Sequence, residues 1–114
     1  MSPRRSPALP AEVDAALKEL KLALVGIYGK RLKGVYLYGS YARGDFTDDS
    51  DIDLLIDIAG RVDSTREMDR LNGIVSDICL RYDLLIATYP VPAGWIVERQ
   101  NPFFANVRRE AVLV

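Results

Sequence analysis

The apolar positions Val13, Leu17, Leu20, Leu24 and Ile27 step by four, three, four and three. That spacing marks one face of an amphipathic helix, predicted over residues 11–31, with Lys18, Glu19 and Lys21 mostly off the stripe. Gly34 closes the connection, and Val35-Tyr36-Leu37-Tyr38 is a β-branched and aromatic run that predicts a buried strand stopped by Gly39. The stretch from Tyr41 to Ser50 is polar and turn-rich. A second strand is predicted over residues 51–58. There Ile52, Leu54, Ile56 and Ile58 share one face, while Asp51, Asp53, Leu55 and Asp57 share the other. Ser64 and Glu67 form a capping-box pattern ahead of a helix carrying Met68, Leu71, Val75 and Ile78 at helical spacing. Cys79 flanks that stripe as a small core or boundary residue. A third strand is expected over residues 82–89, broken by Pro90 and Pro92, then a short helix over residues 93–99. Asn101 before Pro102 predicts an N-cap and a last helix with Phe103, Phe104, Val107 and Ala111 on its apolar side, Trp95 packing beneath it. The order α-β-β-α-β-α predicts the α+β (α/β) class, a small mixed sheet of three or more strands packed by helices.

At 114 residues the chain suits one domain, burying roughly 65% of its unfolded surface. Residues 1–10 hold three prolines and two arginines and predict a flexible tail, leaving residues 11–114 as a single domain. Net charge is −1, which removes bulk positive charge as a route to nucleic acid or a membrane surface. No apolar run approaches the ~20 residues of a membrane span, and the first residues lack the apolar stretch of a signal peptide. The single Cys79 cannot close an internal disulfide, so a reducing, cytoplasmic location is expected. The chain has no His, which excludes Ser-His-Asp and Cys-His chemistry and His-ligated metals. Carboxylates, hydroxyls, Arg, Lys and a hard cation are left to carry any reaction.

Asp51-Ile52-Asp53 stands out within that set. Asp is depleted in strands, and two of them two apart project from one face about 6.8 Å apart. Their repulsion is unfavourable unless a cation lies between them, and carboxylates without His or Cys suit Mg²⁺, with Mn²⁺ as a substitute. Gly39-Ser40 ends the preceding strand, where Gly lets backbone approach a phosphate and Ser40 can cap a short helix with free N–H groups. Arg43 lies one turn further on, with the fork geometry that grips phosphates. Asp83 beside Leu84-Leu85-Ile86 supplies a third carboxylate, enough for a site with two metal ions. Each feature alone is common: Asp-x-Asp occurs on solvated strand ends, and Gly-Ser is often a turn. A calcium loop starting at Asp49 fails, because Leu54 and Gly60 occupy the places of its Gly and its bidentate Glu.

Taken together, Gly39-Ser40-Tyr41-Ala42-Arg43-Gly44 and Ser50-Asp51-Ile52-Asp53-Leu54-Leu55-Ile56 resemble the signature of the DNA polymerase beta-like nucleotidyltransferase superfamily. In that pattern Gly-Ser is followed ten residues later by Asp-x-Asp, the interval between Ser40 and Asp51. The resemblance runs from about Ala11 to the end of the chain and includes Asn101-Pro102-Phe103-Phe104. It implies a polymerase-beta-like nucleotidyltransferase core. Gly39 and Ser40 then bind the β/γ-phosphates of a nucleoside triphosphate, ATP by preference, with Arg43 in support. Asp51 and Asp53 hold Mg²⁺, and Asp83 completes the metal set and helps activate the acceptor hydroxyl.

The short segment after the third strand leaves no room for an added acceptor-gripping domain. The chain therefore resembles the minimal nucleotidyltransferases that serve as antitoxins of HEPN-domain ribonuclease toxins. The implied acceptor is a hydroxyl of the toxin, which becomes adenylylated within a hetero-oligomer. Two other classes stay open: transfer to a small molecule such as an aminoglycoside or to an RNA end, and a non-catalytic antitoxin that covers its partner. Size and the neutral charge, which disfavours direct nucleic-acid binding, weigh against the first. Three carboxylates held together weigh against the second.

Overall fold

The computed structural model describes residues 8–114; most of the expected Pro/Arg tail lies outside the described residues. Within it, Leu9 already packs against the core. Helix α1 (Ala11–Tyr28) buries Val13, Ala16, Leu17, Leu20, Leu24 and Tyr28. It contains the whole stripe but stops short of the predicted residue 31, because Gly29 takes φ 54° and residues 29–31 tighten into a 3₁₀ turn. Strand β1 (Leu32–Tyr38) starts ahead of the expected run, with a register shift between Leu32 and Gly34 against its neighbour. After the short helix α2 (Ser40–Arg43) comes β2 (Ile52–Ile58), antiparallel to β1.

Helix α3 (Ser64–Tyr82) shows a different start from the capping box. Asp63 is the cap, accepting from the Arg66 N–H at 3.2 Å. The two residues of the expected box make tertiary ties instead. Ser64 Oγ donates to Pro90 O at 2.6 Å, and Glu67 accepts from the Tyr28 hydroxyl at 2.7 Å.

Strand β3 (Ile86–Pro92) runs parallel to β2 and both starts and ends later than the expected span. Its start is late because α3 continues through Tyr82 and Asp83 caps it in the left-handed region (φ 53°, ψ 52°), which Asp tolerates. Its end is late because the prolines do no harm where they stand. Ile52 N–H donates to Leu85 O at 2.8 Å and Ala93 N–H to Ile58 O at 2.7 Å, so odd-numbered residues face β2. Pro90 and Pro92 therefore face away from the ladder on an edge strand, where a missing N–H costs nothing.

Helices α4 (Trp95–Glu98) and α5 (Pro102–Glu110) follow, then β4 (Val112–Leu113), a two-residue strand with no legible sequence signal. The sheet order is β3-β2-β1-β4. One face carries Val35, Leu37, Ile52, Leu54, Ile56 and Ile58 against α1 and α3. The other face, which carries Asp53, Leu55 and Asp57, is covered in its middle by α4 and α5. Leu55 there is fully buried with Val91, Ile96, Phe104 and Val107. Asp53 and Asp57, toward the two ends of that face, stay partly open. Trp95 packs edge-on to Phe104 as expected, with the Arg99 guanidinium 3.9 Å from its ring centre. Among the described residues no helix is long and apolar enough to cross a membrane.

The α5 cap is as expected: Asn101 accepts from the Phe104 N–H at 3.0 Å, with Pro102 at the first helical position. Asn101→Ala should lower unfolding stability by about 1 kcal/mol, read as a reduced denaturant midpoint at constant slope. An unchanged midpoint would assign α5 docking wholly to its apolar side.

Candidate active site

The end of the sheet where β1 finishes and β2 begins gathers most of the singled-out residues. Tyr38 pairs with Asp53 across the ladder, so Gly39 and Ser40 follow directly beside that carboxylate. Gly39 has φ 76° and ψ −155°, a conformation open essentially to Gly alone. A Cβ placed there would lie 2.5 Å from Asp53 Oδ2 and 3.4 Å from its Cγ. The missing side chain is what lets the backbone of the turn and the carboxylate share this corner. Asp51 stands one residue before the strand and is exposed, while Asp53 is half-buried. Burial first, then the neighbouring Asp51 charge, raise the Asp53 pKa above its ordinary value, with Arg43 opposing.

The turn between the two motifs is held by its own side chains. Tyr41 is buried and stacks on Phe46, centroids 4.2 Å apart and planes 9° from parallel. Thr47 N–H donates to Ser50 Oγ at 2.9 Å, and Ser50 N–H to Thr47 O at 3.0 Å. This closed turn delivers the chain to Asp51 in a fixed direction. The Ala42 and Arg43 amides bond back to Gly39 O, whereas the Ser40 and Tyr41 amides have no acceptor among the described residues.

Arg43 is placed differently from a free phosphate grip. Its Nε meets Asp45 and its Nη1 meets Glu110, both at 3.2 Å, tying α2 to the end of α5. Asp83 departs further from expectation. It sits on the C-terminal cap of α3 rather than on a strand, three residues before the Ile86 that pairs with Ile52. Among the described residues no group of three or more His, Cys, Asp or Glu side chains comes together as a metal-holding set. The structure thus brings Gly39, Ser40, Asp51 and Asp53 to one corner and leaves Asp83 at the same end of the sheet but outside the carboxylate pair. Sequence reasoning missed Glu110, the Thr47–Ser50 turn and Tyr38, whose hydroxyl pKa burial and the Asp53 charge push up to about 12. Only the Thr-x-x-Ser spacing before Asp51 offered a signal for any of these.

Two carboxylates beside an open backbone corner fit one hard cation that draws its remaining oxygen ligands from water and phosphates. They do not by themselves supply the third ligand expected for a two-ion centre. A groove of about 1070 Å³ lies at the opposite end of the sheet between Gly60 and the first turns of α3, where Asp63, Glu67 and Asp69 are interspersed with Arg61, Arg66 and Arg70.

A family model described as Nucleotidyltransferase domain matches residues 17–92, the span holding all six expected site residues. A protein of Methanocaldococcus jannaschii named "Putative protein adenylyltransferase MJ0604" is 40% identical over 90 residues, covering 79% of this chain and 77% of that protein. A second from the same organism with the same name, MJ0141, is 37% identical over 76 residues, covering 67% and 76%. Among solved structures, a toxin–antitoxin crystallised with AMP-PNP superposes with TM-score 0.58 at 18% identity, covering 86% of this chain and 70% of that one. A mutant of the toxin–antitoxin MntA-HpeT superposes with TM-score 0.54 at 17% identity, covering 85% and 70%. These two show a shared fold.

Proposed function

Because the chain belongs to the nucleotidyltransferase domain family, we propose that it transfers AMP from ATP to a hydroxyl of a partner protein. One observation carries the reading: Asp53 meets a glycine corner that any side chain would close. The naming of both relatives as protein adenylyltransferases supports a protein acceptor, and the AMP-PNP in a fold neighbour's crystal supports an adenine nucleotide. The toxin–antitoxin setting of those neighbours supports a toxin as that acceptor, and the sequence resemblance implies that it is a HEPN-type ribonuclease. The chain then acts in the cytoplasm as an antitoxin that modifies its partner within a hetero-oligomer.

Asp51 and Asp53 would hold Mg²⁺, which when bound supplies charge neutralisation for the phosphates. Gly39 admits the phosphates to the backbone, and the Ser40 hydroxyl with the unpaired Ser40 and Tyr41 amides can donate to their oxygens. Arg43 can join them, because its ion pairs are exposed and such pairs are worth little, so exchanging one for a phosphate is cheap. The acceptor oxygen bonds to the α-phosphorus as the bond to pyrophosphate breaks, and the hydroxyl proton leaves to a carboxylate on the acceptor side. We assign that role to Asp83, exposed at the same end of the sheet.

Asp83→Asn tests the assignment with little risk to the fold, since Asn is at home in the left-handed conformation. AMP-PNP binding with Mg²⁺ should match the native protein, while transfer to an added HEPN-type toxin should fall at least about a hundredfold. Native transfer by the variant would remove Asp83 from the reaction. Binding of AMP-PNP that is indifferent to Mg²⁺ and to Asp53→Asn would contradict the wider reading.

A further inference from the structure

The edge of β3 is closed along one half and open along the other. Ladder phase turns Ile86, Thr88, Pro90 and Pro92 away from β2. The two prolines offer no N–H, and the Pro90 carbonyl is taken by Ser64 Oγ. Ile86 and Thr88 keep their outward N–H and C=O groups, with no partner among the described residues. An unpaired edge is a template for another strand, and natural proteins blunt such edges with proline. Here the blunting stops where the edge reaches the catalytic corner, for Ile86 pairs with Ile52 and Ala87 with Asp53.

Beside this open half lies a cleft of about 300 Å³ whose walls include Met68, Asp69, Val75, Ile86 and Thr88. Its single ionisable lining group is Asp69, and Asp51 and Asp83 stand exposed around the start of β3. The surroundings are acidic with apolar patches, and Leu85 and Met68 are exposed beside them. Resting on the transferase reading above, we propose that the acceptor segment of the partner protein docks as an extended, basic strand on the Ile86–Thr88 edge. Backbone pairing supplies binding, and alternate side chains supply placement. One face of the added strand meets Met68 and Val75, and the other faces the carboxylates. The added strand lies about 9.6 Å from β2, two strand spacings away. A serine or threonine hydroxyl stops well short of Asp53 from there, whereas a tyrosine hydroxyl reaches several ångström farther.

The probe is a blocked pentapeptide, Lys-Val-Tyr-Val-Lys, with tyrosine amide as the unpositioned control and ATP with Mg²⁺ as donor. The native protein should adenylylate the peptide tyrosine at least tenfold faster than tyrosine amide. Thr88→Pro repeats the arrangement the strand already accepts at positions 90 and 92, so it should fold and bind AMP-PNP normally. Its transfer to the peptide should fall to the tyrosine-amide rate, while Thr88→Val, which keeps the amide, should transfer like the native protein. Native-rate transfer by Thr88→Pro overturns the proposal, as does a peptide no better than tyrosine amide. So would a Thr88→Pro protein changed only from dimer to monomer, which would give the edge to a second copy. Loss of AMP-PNP binding and of all transfer in the native protein would instead refute the transferase reading itself.

Discussion

Asp53→Asn is expected to abolish transfer, by roughly a thousandfold or more, while making the isolated protein more stable at neutral pH. The activity loss follows from removing one of two carboxylates proposed to hold the cation, a contribution of several kcal/mol at about one decade per 1.4 kcal/mol. The stability gain follows from the raised pKa of Asp53, caused by burial and by Asp51. The folded protein holds that proton more tightly than the unfolded chain. Stability therefore falls as pH rises from the ordinary carboxylate value, about 3.9, through the raised folded value, and the deficit persists at pH 7. Asparagine removes the charge and with it the deficit. Thermal melts without metal should show the variant above the native protein at pH 7, the gap closing toward pH 4. Asp57 makes the control: burial raises its pKa, its Oδ1 is buried without a partner, and it lies at the far end of the same face. Asp57→Asn should also stabilise at pH 7 yet leave transfer intact. An Asp53→Asn protein that melts lower at pH 7 would contradict the electrostatic account of the site.

Gly39→Ala should damage both fold and activity. The backbone conformation at Gly39 costs an L-residue about 1–3 kcal/mol. The added methyl must also displace the Asp53 carboxylate, whose Oδ2 would lie 2.5 Å away. An unfolding free energy lowered by roughly 2 kcal/mol or more, read from the denaturant midpoint, is expected, with transfer down at least about a hundredfold from the misplaced carboxylate. Gly44→Ala separates the two effects. That position is also at positive φ, but a methyl group added there would meet nothing within 4 Å, so it should cost backbone strain with a much smaller loss of activity. Equal activity losses in the two variants would mean that contact with Asp53 is irrelevant.

The sequence was legible where periodicity and burial agree. The α1 stripe, the Ile52–Ile58 alternation and the Asn101-Pro102 start all appear because each pattern has one physical use. Illegible features depended on partners distant in the chain. Ser64 and Glu67 have the spacing of a cap, but Pro90 and Tyr28 claim them. Pro90 and Pro92 break an interior strand and not an edge one, and ladder phase is not written in local sequence. The covered face over Leu55 could not be read from β2 itself, because its cover comes from α4 and α5. In the site, Gly39, Ser40, Asp51 and Asp53 were legible from spacing. Arg43 was drawn off by Glu110, 67 residues away, and Asp83 by a helix running on past the point where strand propensity begins.

Intact-mass measurement of a HEPN-type toxin after incubation with this protein, ATP and Mg²⁺ tests the central claim most directly. The account predicts a one-nucleotide adduct on the toxin with the native protein and none with Asp53→Asn, although both bind the toxin. Silencing of the toxin's ribonuclease activity by both proteins equally, with no adduct in either case, would contradict it and leave covering of the partner as the mechanism.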